Sequence, residues 1–144
     1  MAEYKGINLT ANESGTVLDP GVWGGKVQLM QDKATLGVIA VDNIACLGWL
    51  PKNARILPNS FIKFGAMGGT GDGEINPALL KIGTVGDDDK FASNVNAKTA
   101  GTFQFTSVGN SKVGEAGPIV IKITAAGSGT NVPVEAWIFY VQAG

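Results

Sequence analysis

The sequence contains no histidine, the side chain that enzymes use most often as a general base near neutral pH. Ser-His-Asp and Cys-His catalytic sets are therefore excluded, and so are metal sites built on imidazole. An enzyme made from this chain would have to rely on carboxylates, lysine or tyrosine alone. This absence weighs against enzymatic activity before any motif is considered.

Cysteine is nearly absent as well, because Cys46 is the only one in 144 residues. One cysteine cannot form an internal disulfide, and its neighbours Ala45 and Leu47 indicate a small buried side chain rather than a reactive thiol. The lack of a disulfide framework fits assembly in a reducing cytoplasm. Residues 1–15 contain no apolar run, so no signal peptide is predicted.

Charged residues are scarce and balanced, at 16% of the chain, with 11 Lys and Arg against 12 Asp and Glu. There is no basic run, so the electrostatic basis for binding nucleic acid is missing. The apolar runs are far shorter than the roughly 20 residues that a membrane-spanning helix needs. We therefore predict that neither nucleic acid nor a membrane is a partner.

Glycine, by contrast, is abundant, at 21 residues, and short segments of alternating apolar and polar residues follow one another. This pattern is typical of a fold with many tight turns, and no segment has a helical period with caps. It predicts an all-β, jelly-roll-like β-sandwich as a single domain over residues 23–144. Residues 1–22 are predicted to form an extended N-terminal arm that becomes ordered against a partner.

Residues 47–64 lie at the centre of this pattern. They predict a strand, a turn at Pro51, a short strand, a turn at Pro58 and another strand. Further strands are predicted at residues 24–31, 35–41, 44–50, 78–85, 103–105, 119–123 and 134–141. Residues 86–90 are predicted to form a polar turn, and residues 94–101 a loop.

The last predicted strand, Val134–Val141, is apolar on both faces, because Trp137 and Phe139 alternate with Ala136 and Ile138. A strand that faces water on one side normally alternates between apolar and polar residues. Either both faces are buried inside the domain, or one of them meets another subunit.

Two motifs offer a ligand site, and in both a structural interpretation is favoured. Residues 65–73 are glycine-rich but lack the Lys-Ser/Thr of a phosphate-binding loop, so a flexible loop is the better interpretation. Asp87, Asp88 and Asp89, joined by Asp72 or Glu74 through folding, supply the oxygen ligands that Ca²⁺ prefers. Three consecutive residues alternate in direction, however, so a solvated turn is favoured.

Tryptophans raise the possibility of glycan binding, for which Trp23, Trp49 and Trp137 are candidates. Trp49 and Trp137 lie in predicted strands and are better explained as core or interface residues. Trp23 is either exposed or pins the arm to the sandwich. The glutamates lie in separate segments, and their spacing does not exclude the pair of carboxylates that a glycosidase needs, but nothing else supports such a pair. We predict no enzymatic activity, with no catalytic residues, no cofactor and no bound metal.

Four stretches carry a resemblance to a known class of proteins. They are Gly21–Val27, Leu47–Leu57 with its LPKNARIL core, residues 80–91 and Trp137–Val141. From Gly21 to Val141 the chain resembles small structural proteins of tailed bacteriophages. In particular, it resembles the jelly-roll decoration, or cement, proteins that bind outside heads built from the HK97-type major capsid protein.

This resemblance implies a homo-oligomer (a dimer or a trimer) that reinforces the capsid shell without catalysis. The implied partners are the major capsid protein of the same phage and further copies of the chain. The implied location is the outer surface of the virion, after synthesis in the cytoplasm of the host bacterium. A head-fibre base, a tail or adaptor protein, and a glycan-binding module remain alternatives. The predicted interface residues are Tyr4, Ile7, Leu9, Trp23, Lys52, Arg55, Trp137 and Phe139.

Overall fold

The computed structural model describes residues 3–6, 27–105 and 112–142. These residues form β-strands joined by turns, with one short 3-10 helix at Asp72–Glu74 among them. The strands in chain order are β1 Glu3–Lys5, β2 Gln28–Val38, β3 Ile44–Leu50, β4 Ala54–Ile56, β5 Phe61–Phe64, β6 Gly69–Thr70, β7 Asn76–Pro77, β8 Leu79–Thr84, β9 Asp87–Asn96, β10 Gly101–Gln104, β11 Gly117–Ala125 and β12 Thr130–Gln142.

The strands form two main sheets. Sheet A has the order β1-β3-β11-β8-β9, and sheet B has the order β10-β5-β12-β2, with β4 also paired to β12. β6 and β7 form a small separate pair. All pairings in the two main sheets are antiparallel except that of β1 with β3.

The antiparallel pairs are nested along the chain. The outermost pair is β2 with β12, inside it lie β3 with β11 and β5 with β10, and the innermost is the β8–β9 hairpin. Successive pairs belong alternately to sheet B and sheet A. A nested ribbon folded over itself in this way gives a two-sheet sandwich. The predicted all-β sandwich is therefore confirmed.

Period-two burial places the core between the sheets. In β11 every second side chain from Ile119 to Ile123 is fully buried, and in β12 every second side chain from Val134 to Ile138 is. Strands that pack one face against a core show this alternation. Cys46 is buried and forms no disulfide, as the sequence predicts.

The central stretch, residues 47–64, folds as β3, a turn at Pro51, β4, a turn at Pro58 and β5. In the first turn Asn53 has a φ of 69°, and the Ala54 N–H donates to the Pro51 carbonyl at 3.1 Å. Both prolines lie in turns, where a fixed φ and a missing N–H cost no ladder bond. The stretch carries the chain from sheet A to sheet B, so this prediction is confirmed.

The described N-terminal residues pair with the sandwich itself. β1 lies parallel to residues 44–46 of β3, and the Gly6 N–H donates to the Cys46 carbonyl at 2.7 Å. For residues 3–6 the ordering partner is therefore the chain's own sheet A. Residues 7–22 of the predicted arm lie outside the described residues.

Two strands predicted in the first half of the domain, at residues 24–31 and 35–41, are a single strand in the structure. β2 runs without a break through Gln28–Val38, where the sequence predicts two separate runs. Asp32 interrupts the apolar pattern, but it points inward like Met30 and Ala34, so the alternation of the strand continues. Because a polar residue occupies an inward position, the hydrophobic pattern alone does not identify residues 28–38 as one strand.

The predicted polar turn at residues 86–90 is wrong, because the turn is confined to Val85 and Gly86 and β9 begins at Asp87. Gly83 explains this tight return. A Cβ atom at Gly83 would collide with the backbone of Asp87 and Asp88, so its absence allows β9 to fold closely against β8. β9 then continues to residue 96, which shortens the predicted loop at residues 94–101.

Candidate interaction surface

The outer face of sheet B carries a set of apolar side chains that solvent reaches. We call this set the aromatic face, and its members are Leu29, Phe61, Trp137, Phe139 and Val141. Leu29 is 46% exposed, and the other four are partly exposed. They point outward because the alternate positions, such as Met30, Ile62 and Ile138, fill the core.

Strand register brings the members of the aromatic face together. Trp137 lies opposite Phe61 of β5 on one side and opposite Gln31 of β2 on the other, while Phe139 lies opposite Leu29. Directly opposed residues in antiparallel strands have Cβ atoms about 4.5–5.5 Å apart, close enough for side-chain contact. The aromatic face is therefore continuous across β2, β12 and β5.

The indole of Trp137 is held in one orientation. Its Nε1–H donates to Glu135 Oε1 at 2.7 Å, and its ring stacks on Phe61 with centroids 6.0 Å apart and planes 14° apart. Lys63 Nζ lies 6.0 Å from the centre of the Phe61 ring, at the limit of a cation–π contact. An aromatic side chain fixed before binding loses little conformational entropy when a partner covers it.

The backbone at Phe139 is also fixed. The Ser60 hydroxyl accepts from the Phe139 N–H at 2.8 Å and donates to the Phe139 carbonyl at 3.0 Å. The Leu57 N–H donates to the same carbonyl at 2.8 Å. Because these bonds come from the β4–β5 turn, that turn determines where the Phe139 ring lies on the aromatic face.

Basic side chains surround the aromatic face. Lys33 and Lys63 lie opposite Glu135 on its two sides, and Arg55 of β4 lies beside the end of β12. Lys112 forms an isolated backbone bridge with Arg55. Among the described residues, this side of the sandwich thus has four basic side chains around the carboxylate of Glu135, although the whole chain has a formal net charge of −1. An acidic partner surface would be electrostatically complementary.

The structure brings together three of the predicted interface residues, Arg55, Trp137 and Phe139, on the outer face of sheet B. Lys52 lies in the exposed turn that leads into β4, three positions before Arg55. Tyr4 lies apart from them in β1, where it is partly buried and packs against the core.

The remaining predicted interface residues, Ile7, Leu9 and Trp23, lie outside the described residues. Trp49 lies in β3 of sheet A and is 43% exposed, so it is not a core residue. It is separated from Trp137 by the thickness of the sandwich, and the two indoles do not share a surface.

Six residues of this surface are missed by the sequence analysis: Leu29, Phe61, Val141, Lys33, Lys63 and Lys112. Alternation alone would place Leu29 on the face opposite Met30, but only the register places it beside Phe139. Lys112 reaches Arg55 through a bridge between segments that are 57 positions apart. No local signal in the sequence identifies either neighbour.

The aspartates at the start of β9 point to both sides of the strand. A hydrogen bond between the side chains of Asp87 and Asp89 raises the pKa of Asp87 above its ordinary value of 3.8. Asp88 instead lies 3.5 Å from Lys122 Nζ and 3.9 Å from Lys81 Nζ. The three carboxylates therefore point to two sides of the strand, whereas in a cation site they converge on one point.

Three further features of residues 3–6, 27–105 and 112–142 bear on metal, membrane and phosphate binding. No group of three or more His, Cys, Asp or Glu side chains in these ranges could hold a metal ion. No helix in them is long and apolar enough to cross a membrane. The glycine-rich residues 65–73 follow β5, contain β6 and enter the three-residue 3-10 helix Asp72–Glu74, which leads to β7, so no α-helix follows them.

Comparisons with known proteins identify the fold. No family model matches the chain, and no curated protein matches it. Among solved structures, it is similar to a chain in the capsid of Ralstonia phage GP4, with a TM-score of 0.68 and 19% identity over 90% of this chain and 94% of that one. It is also similar to a chain in the capsid asymmetric unit of cyanophage Pam1, with a TM-score of 0.60 and 15% identity over 88% and 93% of the two chains.

Both similarities extend over almost the whole length of each chain. At these levels of identity they establish a shared fold. The chain therefore has the same all-β architecture, over nearly its full length, as chains found in two phage capsids.

Proposed function

We propose that the protein is a structural component of a bacteriophage virion. More specifically, we propose a decoration, or cement, protein that binds the outside of an assembled HK97-type capsid shell and stabilises it against the pressure of the packaged DNA. Its partners would be the major capsid protein of the same phage and further copies of itself, as a dimer or trimer. It would act without catalysis, on the outer surface of the virion, after synthesis in the host cytoplasm.

The observation that carries this proposal is the aromatic face. Its apolar side chains remain accessible on a folded sandwich, with Trp137 and the Phe139 backbone already fixed and basic residues around them. Interfaces are enriched in aromatic residues at the centre, with polar and charged residues at the rim. The fold shared with chains from two phage capsids, and the phage-like sequence stretches, make a capsid shell the partner that best fits this face.

The mechanism follows from mass action. A protein that binds the assembled shell but not its separate subunits stabilises the shell by an amount that grows with its concentration and affinity. If each copy contacts more than one capsid subunit, it opposes their separation when the packaged DNA pushes outward. Many copies acting together add avidity without requiring a strong individual contact.

Particles with and without the protein provide the test. We expect particles that lack it to release DNA at a lower temperature and after a milder osmotic shock, and we expect purified protein to restore resistance. DNA release is measured by dye accessibility during heating. Equal resistance in both kinds of particle contradicts a cement role.

The copy number per particle separates this proposal from the other virion roles. Hundreds of copies, measured by quantitative gel or mass spectrometry of purified particles, are expected of a decoration protein, whereas about a dozen or fewer indicate a tail, neck or fibre position. The oligomeric state of the purified protein, measured by sedimentation, tests the proposed dimer or trimer.

A further inference from the structure

A groove crosses the outer face of sheet A, on the side of the sandwich opposite the aromatic face. It consists of two adjoining cavities of about 650 Å³ and 200 Å³, which share Glu3, Cys46 and Val85 among their lining residues. Cys46 and Val120 form the floor, each 5% exposed, in a small apolar cluster separate from the main core. The larger cavity is in the size range of sites that bind ligands.

Raised elements form the walls of this groove. β1 contributes Glu3 on one side, and the β8–β9 turn contributes Val85 and Gly86 on the other. Trp49 and residues 115–118 line the larger cavity only. Trp49 is 43% exposed and Val85 is 71% exposed, so both offer apolar surface to a segment that enters the groove.

The charge of the groove favours a basic occupant. Among the described residues that line the larger cavity, the titratable acids are Glu3 and Glu115, and no lysine or arginine lines it. Lys5 Nζ lies 3.5 Å from Glu3 Oε1, so part of the Glu3 charge is already offset, and Glu115 contributes the rest. In the smaller cavity Lys122 and Asp88 lie 3.5 Å apart and offset each other. Carboxylates beside an exposed indole are the combination that receives an ammonium or guanidinium group, through ion pairing and cation–π attraction.

We propose that this groove binds a short extended segment of a partner protein in which a lysine or arginine is flanked by apolar side chains. The basic side chain reaches Glu3 and Glu115 beside the Trp49 indole, and its apolar neighbours cover Cys46 and Val120. This inference goes beyond the proposed function. It concerns the other sheet, and its test requires no phage particle.

The test uses the full-length protein and two fluorescein-labelled hexapeptides. The basic probe is acetyl-Val-Lys-Val-Arg-Val-Ala-amide, and the acidic probe has Glu in place of Lys and Arg. We expect fluorescence anisotropy to give a dissociation constant for the basic probe that is at least about tenfold lower than that for the acidic probe. We expect Glu115→Gln to weaken binding of the basic probe by about fivefold or more and not to weaken binding of the acidic probe, because the lost carboxylate attracts only the basic one.

Asp72→Asn is the matched control, because it removes one exposed carboxylate in the 3-10 helix, outside the groove. It should leave the preference for the basic probe intact. Glu115 is exposed, so the melting temperature of Glu115→Gln should equal that of the wild type. The proposal is overturned if both probes bind equally or if neither binds. It is also overturned if the protein self-associates and Glu115→Gln abolishes that self-association.

Discussion

At the scale of single residues, Asp32 joins three strands at the edge of the sandwich. It is 4% exposed, its Oδ2 accepts from the Gly48 N–H at 2.8 Å, and its Oδ1 accepts from the Lys33 N–H at 2.9 Å. Gly6, at the end of β1, lies directly against this carboxylate. A buried polar group is tolerated when hydrogen bonds replace its lost hydration, and here the bond from Gly48 also connects β2 with β3.

Gly6→Ala tests whether this close approach holds β1 in place. A Cβ atom at Gly6 would collide with the Asp32 carboxylate, so either β1 moves away or Asp32 loses its hydrogen bonds. We expect a loss of about 1–3 kcal/mol in the free energy of unfolding, as for other overpacked sites. We also expect faster hydrogen exchange at the Gly6 N–H, which donates to the Cys46 carbonyl. Denaturant titration and exchange measured by NMR provide the two readings.

Gly86→Ala is the control for this substitution. A Cβ atom at Gly86 meets nothing within 4 Å, so the change should alter stability by only a few tenths of a kcal/mol. If Gly6→Ala behaved like Gly86→Ala in both measurements, β1 would not depend on the contact between Gly6 and Asp32.

At the scale of strands, Ser60 fastens the β4–β5 turn to β12. Its hydroxyl makes two hydrogen bonds to the backbone of Phe139, and the side chain is fully buried. We expect Ser60→Ala to lower the free energy of unfolding by about 1–3 kcal/mol, because a buried N–H loses its acceptor. We also expect weaker shell binding, since the Phe139 ring is no longer held. Chemical denaturation and co-sedimentation with shells measure the two effects.

Ser93→Ala makes the same chemical change at an exposed position of β9. It should alter the free energy of unfolding by less than about 0.5 kcal/mol. Should Ser60→Ala lose stability but bind shells normally, the turn would support the fold without positioning the aromatic face.

The strands differ in how far the sequence predicts them. Alternation identifies β3, β8, β11 and β12, because burial of one face imposes a period of two. The start of β9 is missed, since aspartate is rare in strands. Within the folded sheet, however, Asp88 lies near Lys81 and Lys122, which belong to β8 and β11. Those neighbours exist only after the strands have paired.

The same limit applies to the aromatic face. Trp137 and Phe139 stand out in the sequence because a strand that is apolar on both faces has more surface than the core requires. Leu29, Phe61 and Lys112 become neighbours of these residues only through the register of three other strands. A single sequence specifies which residues share a face of one strand, but it does not specify which strands lie side by side.

At the scale of the whole molecule, the two candidate binding surfaces, one on each sheet, differ in the charged residues around them. The aromatic face on sheet B is surrounded by Lys33, Lys63, Arg55 and Lys112, whereas the groove on sheet A is lined by Glu3 and Glu115. Elsewhere on sheet A, Lys5 pairs with Glu3, and Lys81 and Lys122 pair with Asp88, so the contrast lies between the aromatic face and the larger cavity of the groove, which favour different partners. Under the proposed function, the protein would bind a shell through sheet B while sheet A remained open to a second protein.

Charge reversal on the aromatic face tests this polarity. We expect Arg55→Glu to weaken binding to shells roughly tenfold and to reduce the salt dependence of binding, because an attraction at the rim becomes a repulsion. Lys98→Glu, in the loop between β9 and β10, makes the same change in net charge away from this face and should bind like the wild type. Co-sedimentation at several salt concentrations measures both. Equal losses in the two variants would mean that net charge alone governs attachment, whereas a loss confined to Arg55→Glu places the contact on sheet B.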